Sequence, residues 1–166
     1  MAAQTGRTPG KYIHVAIDDS GGTVRDIPVS SINGVGLTAE MVDLSALQDA
    51  MKGGLPGQPG VEIQITGPFD SSAAQTASTS GSAPALSGSH TVLAGINNGA
   101  TPLAFGVYYG VRQHWTDGEP VFGITGTTAN GVLVRDYVVN SDGTYSATIY
   151  PYPGSATLAW GTSAIS

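Results

Sequence analysis

Apolar residues in this chain recur at every second position, and that period decides what it can fold into. Val61, Ile63 and Ile65 alternate with Glu62, Gln64 and Thr66. Successive side chains of a strand point to opposite faces, so the segment is predicted to be a strand with one buried and one polar face. Ile13, Val15 and Ile17 likewise share a face opposite Tyr12, His14 and Ala16. Phe105, Val107, Tyr109 and Val111 line up opposite Ala104, Gly106, Tyr108 and Gly110, whose small members allow another layer to approach closely. Further strands are predicted over 23–27, 121–125, 132–139, 144–150 and 156–160.

The punctuation between strands agrees. Asn33-Gly34, Asp117-Gly118, Asn130-Gly131 and Asp142-Gly143 accept the positive φ of tight hairpin turns, and Asn140-Ser141-Asp142-Gly143 is the strongest of these hairpin signals. One helix is expected, with Ser89 capping residues 90–97, Val92, Leu93 and Ile96 forming its apolar stripe, and Asn98-Gly99 ending it. A weaker helical turn is suggested over 44–51. Residues 71–87 are a run of Ser, Ala and Thr with few side chains able to enter a core, read as a flexible surface insertion. No internal repeat is found. The expectation is one mainly β domain over 1–166, a sandwich or barrel with one short α-helix packed on its side and a flexible arm over 1–10.

Composition narrows the function. Only 11% of the 166 residues are charged, against roughly 25% in an average soluble domain. A surface this poor in charge fits one covered by neighbouring subunits, and it fits equally a secreted β-domain with Ser/Thr loops. Twelve carboxylates against six Lys and Arg give a formal net charge of −6, without any basic cluster, which argues against nucleic-acid binding. The absence of cysteine excludes disulfides, thiolate metal sites and thiol nucleophiles. The polar first ten residues lack the apolar core of a signal peptide, which suggests retention in a cytoplasm, although a mature secreted chain that had lost its signal would look the same here.

Candidate chemistry is sparse. Asp18, Asp19 and Asp26 flank a Ser-Gly-Gly turn but lack the alternating acidic positions and closing Glu of a calcium loop, so they read as a solvated hairpin. His14, His90 and His114 have no second histidine at ligand spacing. Neither a G-x-S-x-G elbow nor a phosphate loop is present, and residues 53–60 carry two prolines with no following helix. No catalytic, metal or cofactor residue is assigned. Tyr108, Tyr109, Trp115, Tyr137, Tyr150, Tyr152 and Trp160 leave a carbohydrate platform open as an alternative.

The order of short segments carries a further signal. Asp18-Asp19-Ser20-Gly21-Gly22 leads to Thr23-Val24-Arg25-Asp26-Ile27, then to Ser31-Ile32-Asn33-Gly34 and Glu40-Met41-Val42-Asp43. The loop Gly53-Gly54-Leu55-Pro56-Gly57-Gln58-Pro59-Gly60 precedes a strand ending in Gly67-Pro68-Phe69-Asp70. Ser89-His90-Thr91-Val92-Leu93, Glu119-Pro120-Val121-Phe122-Gly123-Ile124-Thr125 and Ala159-Trp160-Gly161-Thr162 follow. In this order the chain resembles the major tail tube proteins of long-tailed, siphovirus-type bacteriophages.

The resemblance implies a β-sandwich flanked by one helix, assembled into stacked hexameric rings that share an inner β-barrel and conduct the genome. It implies a virion protein, made in the host cytoplasm, without enzymatic activity, cofactor or membrane. Its partners are other copies of itself, the tape measure, tail terminator and distal tail proteins, and viral DNA in transit without specific binding. The loop over 47–60 reaches a neighbouring ring in this family, which makes Lys52, Leu55, Pro56 and Pro59 candidate inter-ring residues. Glu62 and Gln64, on the polar face of their strand, point to outer solvent or to a channel. The resemblance favours the channel, with Glu119 and Asp136 as weaker candidates for the same wall. A capsid decoration protein and a secreted carbohydrate-binding domain are the rival readings.

Overall fold

In the computed structural model, which describes residues 2–46, 50–78 and 80–166, the predicted alternation builds two antiparallel sheets. The first has the order β11 (Ala159–Gly161), β8 (Val121–Ile124), β7 (Phe105–Tyr109), β1 (Ile13–Asp18), β2 (Val24–Ile27). The second has the order β3 (Ser31–Asn33), β6 (Ile63–Pro68), β10 (Thr144–Pro151), β9 (Val132–Val139). A separate ribbon pairs β4 (Met41–Asp43) with β5 (Gly54–Pro56).

One apolar layer joins the two sheets. Val15, Ile17, Phe105, Val107 and Phe122 from the first meet Ile63, Ile65, Val134, Tyr145 and Ile149 from the second, all fully or almost fully buried. Each such side chain stabilises the fold by about 1.5–3 kcal/mol relative to exposure. The helix α1 (Ser89–Ile96) adds Val92, Leu93 and Ile96 to the same layer and packs against β2 and β9. Those two strands lie at the edges of their sheets, so α1 closes one flank of the sandwich. Backbone groups finish the closure: Ser87 N–H donates to Asp26 O, Leu103 exchanges two bonds with Val132, and Asn98 N–H donates to Val134 O. Covered edges of this kind cannot recruit foreign strands.

Three local expectations change in the fold. Ser89 does not cap α1; the N-cap is Gly88, whose Cβ, if present, would sit 2.4 Å from Ser72 O. Ser89 is instead wholly buried, its hydroxyl donating to Pro68 O at 2.8 Å and accepting Asp70 N–H at 3.0 Å. That hydroxyl ties the end of β6 to the start of the helix. Among the glycine turns, Asp142-Gly143 closes the hairpin between β9 and β10, with Gly143 at φ +79°. Asn130-Gly131 carries the chain from the first sheet to the second, and Gly34 (φ +84°) lets it leave β3 where a Cβ would lie 2.2 Å from Glu62 O.

The Ser/Ala/Thr-rich run over 71–87 is a docked strap. Gln75 O accepts Arg25 Nη1 at 2.8 Å, Ser78 N–H donates to Asp26 Oδ2 at 2.8 Å, and Gly81 N–H donates to Trp115 O at 2.7 Å. Small side chains let the strap's backbone come close enough to make these bonds. The arm before β1 is tied down as well, by Gln4 N–H to Glu119 Oε1 at 3.1 Å. The helical turn expected over 44–51 falls in part outside the described residues.

Tyr145 anchors the crossover between sheets, its buried phenol donating to Pro28 O at 2.7 Å. Tyr145→Phe leaves that carbonyl unpaired and is expected to lower stability by about 1–2 kcal/mol. In urea melts the midpoint should fall with an unchanged slope.

Candidate assembly surfaces

The outer face of the second sheet is built by its register. Asn33 lies opposite Gln64, Gln64 opposite Thr148, and Thr148 opposite Arg135. The next row runs Ser31, Thr66, Ser146, Val138. The inner positions on these strands are core residues, and the outer face is mostly Ser, Thr, Asn and Gln, interrupted by exposed Val138. Its charges gather around Arg135. Arg135 lies 3.2 Å from Glu62 Oε2 and 3.6 Å from Asp136 Oδ2, and its guanidinium sits over the Tyr150 ring at 5.0 Å. Two carboxylates on one guanidinium leave a single uncompensated negative charge there.

Asp136 reaches this face through a bulge. The register slips between Ser146 and Thr148, so Asp136 and Tyr137 together oppose one residue, and Asp136 takes φ +55°. Aspartate tolerates that left-handed conformation better than most residues. The extra residue turns Asp136 out to solvent while Tyr137 packs inward against Tyr145, ring centroids 5.9 Å apart. Glu62, Gln64 and Asp136 therefore share one exposed face.

Glu119 does not join them. Its side chain is wholly buried, with Oε1 accepting Gln4 N–H and Oε2 accepting Val111 N–H at 3.0 Å and Thr116 N–H at 3.2 Å. It organises the β7–β8 connection and the N-terminal arm, so it cannot line a channel wall. The alternation around it gave no warning, because residue 119 lies in irregular backbone whose amides need an acceptor.

The β4–β5 ribbon forms the second surface. Val42 pairs with Leu55 and Met41 with Pro56, and Thr38 exchanges backbone bonds with Gly60 at its base. Lys52, Leu55, Pro56 and Pro59 are all exposed. So are Met41, Val42, Leu44 and Met51, the last 83% exposed. An isolated two-stranded ribbon is marginal in water, and Val42 with Leu55 on one face and Met41 with Pro56 on the other leave apolar side chains exposed on both faces of this one.

Signs of chemistry are few. Among the described residues no three His, Asp or Glu gather as a metal site, and no helix is long and apolar enough to cross a membrane. His14 stacks on Tyr108 at 4.6 Å and lies 3.7 Å from Asp26. Burial lowers its pKa, against the opposing pull of Asp26. The aromatics do not form one exposed platform: Tyr108 and Trp115 are buried together with Ala16 and Val121, beneath Ile165. Trp160 is exposed but packs on Tyr109 and Phe122.

No protein-family model matches the chain, and no curated protein matches it in sequence. Solved structures share its fold. The sheath/tube terminator of an extracellular contractile injection system, PVC, in its extended state, matches with TM-score 0.53 at 10% identity, over 96% of this chain and 99% of that one. The tube-terminating cap of the anti-feeding prophage matches with TM-score 0.53 at 10% identity, over 98% and 96% of the two chains. A chain of the PVC sheath-tube complex in the extended state matches with TM-score 0.52 at 10% identity, over 94% and 92%. At such identity the likeness is one of fold.

Buried and exposed carboxylates should respond differently to neutral isosteres. Glu119→Gln turns an amide NH2 toward backbone donors and is expected to lower stability by about 2–3 kcal/mol. Glu62→Gln and Asp136→Asn should stay within about 1 kcal/mol of the parent in chemical denaturation. Equal effects at all three positions would contradict these placements.

Proposed function

We propose that this chain is a structural subunit of a phage-type tail, forming hexameric rings around a channel lined by the outer face of its second sheet. The observation that carries the reading is that face itself: a sheet surface mostly of Ser, Thr, Asn and Gln, with one uncompensated negative charge and its arginine held between two carboxylates. A conduit for DNA needs such a wall, since each bound phosphate would require a cation to neutralise it and would retard passage. The fold shared with tube terminators and a sheath-tube complex supports the same reading. The outer edge of β3 and exposed Val138 and Val139 at the end of β9 are where neighbours in a ring would meet.

The β4–β5 ribbon then makes the contact along the tube axis. It leaves the sandwich at one end, between β3 and β6, and carries apolar side chains that its own chain does not bury. Docked on the next ring, it stabilises a stack by removing this surface from water. A ring that ends a tube instead of extending it is the second reading. It is favoured by the two fold relatives that are a terminator and a cap, and it differs in using its ribbon on another protein's ring.

Electron microscopy of the purified chain is expected to show six-fold rings or tubes. A stable monomer at high concentration overturns the proposal, whereas single rings that bind tube ends select the terminator reading. Leu55→Asp with Val42→Asp, both on the exposed ribbon, should leave a folded ring that stacks at least about tenfold more weakly. Unaltered stacking removes the ribbon from the interface.

The channel wall has its own test. Glu62→Lys with Gln64→Lys puts two cations per copy just before and on β6, without the left-handed backbone that would penalise lysine at 136. Assembly should persist while DNA ejection slows, more so at about 10 mM salt than at 150 mM, because screening shortens the attraction. Ejection that matches the parent at both salts would place this face away from DNA.

A further inference from the structure

His14 on β1 lies beneath the strap formed by residues 71–87. Its imidazole is stacked on the Tyr108 ring, centroids 4.6 Å apart and planes 2° apart, and only 12% of the side chain is exposed. Two parts of the strap border it. Ala77, Ser78 and Ser80 share with it a cavity of about 360 Å³ over the first sheet, and Pro84 and Leu86 share a second depression with it. Its Nε2 lies 3.7 Å from Oδ1 of Asp26, and Asp26 is where the strap is fastened. Ser78 N–H donates to Asp26 Oδ2 at 2.8 Å, and Ser87 N–H donates to the Asp26 carbonyl at 2.7 Å. A weakly basic ring is thus buried at the point where the strap is held.

Few charges surround this ring. From β2 comes the Asp26 carboxylate, while Arg25, which holds the strap through Gln75 O, is itself bound by Asp19. From β7 comes the Tyr108 phenol, whose oxygen accepts Ile165 N–H at 3.0 Å. The connection between β7 and β8 contributes His114 and the Asp117 carboxylate, and Lys11 of the N-terminal arm lines the second depression. The strap has no titratable side chain between residues 71 and 87, and the C-terminal segment presents Ala164 and Ile165. Burial holds the His14 ring below its ordinary pKa; the Asp26 carboxylate pulls the other way, and His114 adds to the depression. The ring is therefore neutral at neutral pH, and a proton on it must be carried under a covering that has no charge of its own.

We propose that the strap is an acid-released latch: protonation of His14 favours an open state in which residues 76–82 leave Asp26 and water reaches the imidazolium. The strap docks by backbone bonds and small side chains over a cavity, so opening it separates few packed side chains. Opening uncovers Ala16, Tyr108 and Trp115 on the first sheet. Linkage gives the direction. A histidine whose pKa is lower in the closed state than in the open one supports closure fully above the open-state value, about 6.5, and that support is lost as pH falls through this value toward the closed-state one. Docking should therefore hold at neutral pH and weaken below about pH 6.5, the opening constant rising by at most about tenfold per pH unit.

Hydrogen exchange of the full chain at about pH 7.5 and about pH 5.5, expressed as protection relative to a free amide at each pH, reads the latch directly. Protection of the Ser78, Gly81 and Ser87 amides is expected to fall by about three- to tenfold at the lower pH, while that of β6 and β10 is kept. His14→Gln, polar yet uncharged at both pH values, should remove this dependence. The converse holds for the ring. Ser78→Pro takes away the N–H bonded to Asp26 and should bring the His14 pKa, read from its NMR titration, closer to about 6.5. Strap protection that is equal at both pH values in the parent overturns the proposal. So does an equal loss in parent and His14→Gln, which would assign the response to a carboxylate such as Asp26 or Asp117. A His14 titration unmoved by Ser78→Pro overturns it as well, and that measurement does not depend on how His14→Gln folds. The latch belongs to a single subunit, so its failure leaves ring formation untouched.

Discussion

A single apolar layer between two sheets holds this molecule together, and it uses only one face of each sheet. Everything else follows from how the two outer faces are treated. The first sheet buries its outer face under its own chain: the 71–87 strap, the N-terminal arm and the segment around Ile165 lie across Ala16, Tyr108, Trp115 and Val121. Gly106 makes this approach possible, since Ile165 Cδ1 would lie 3.0 Å from any Cβ there. The second sheet leaves its outer face open and polar. One sheet is covered on both faces by its own chain, and the other is covered on one.

Few charges are spent on solubility, and several carboxylates are taken inside. Glu119 collects three backbone N–H groups from two separate loops, and Asp26, almost fully buried, receives the strap through Ser78. Irregular backbone that covers a sheet has amides with no ladder partner, and an acidic side chain is an acceptor that can serve several of them. The same logic isolates Asp18, whose second oxygen lacks such a donor. In a chain with so few cations, the buried carboxylates turn mainly to backbone amides.

The apolar ribbon of β4 and β5 contrasts with this internal satisfaction. It is held by its own ladder and by the Thr38–Gly60 bridge, yet its side chains face water. Among the exposed large hydrophobic residues, Met41, Val42, Leu44, Met51 and Leu55 cluster on or beside this ribbon. The open polar sheet and the apolar ribbon give the molecule two contrasting exposed surfaces.

How much of this could be read without coordinates depends on whether the governing interaction is local. Alternation is local, so β1, β6, β7, β9 and β10 are legible from Val15 and Ile17, Ile63 and Ile65, Val107, and the run from Val132 onward. The Asp142-Gly143 hairpin is legible for the same reason, because a two-strand turn depends on the φ of a few residues. The exposure of Leu55 and the polar face of Glu62 and Gln64 also follow from sequence pattern. What the sequence could not determine is where distant segments meet. Whether Glu119 faces water or three amides, whether the 71–87 run floats or docks on Asp26, and whether Ser89 caps its helix or staples β6 to it are decided by partners up to 115 residues away. Such contacts exist only once the two sheets have closed on their common core, so only the tertiary structure could assign them.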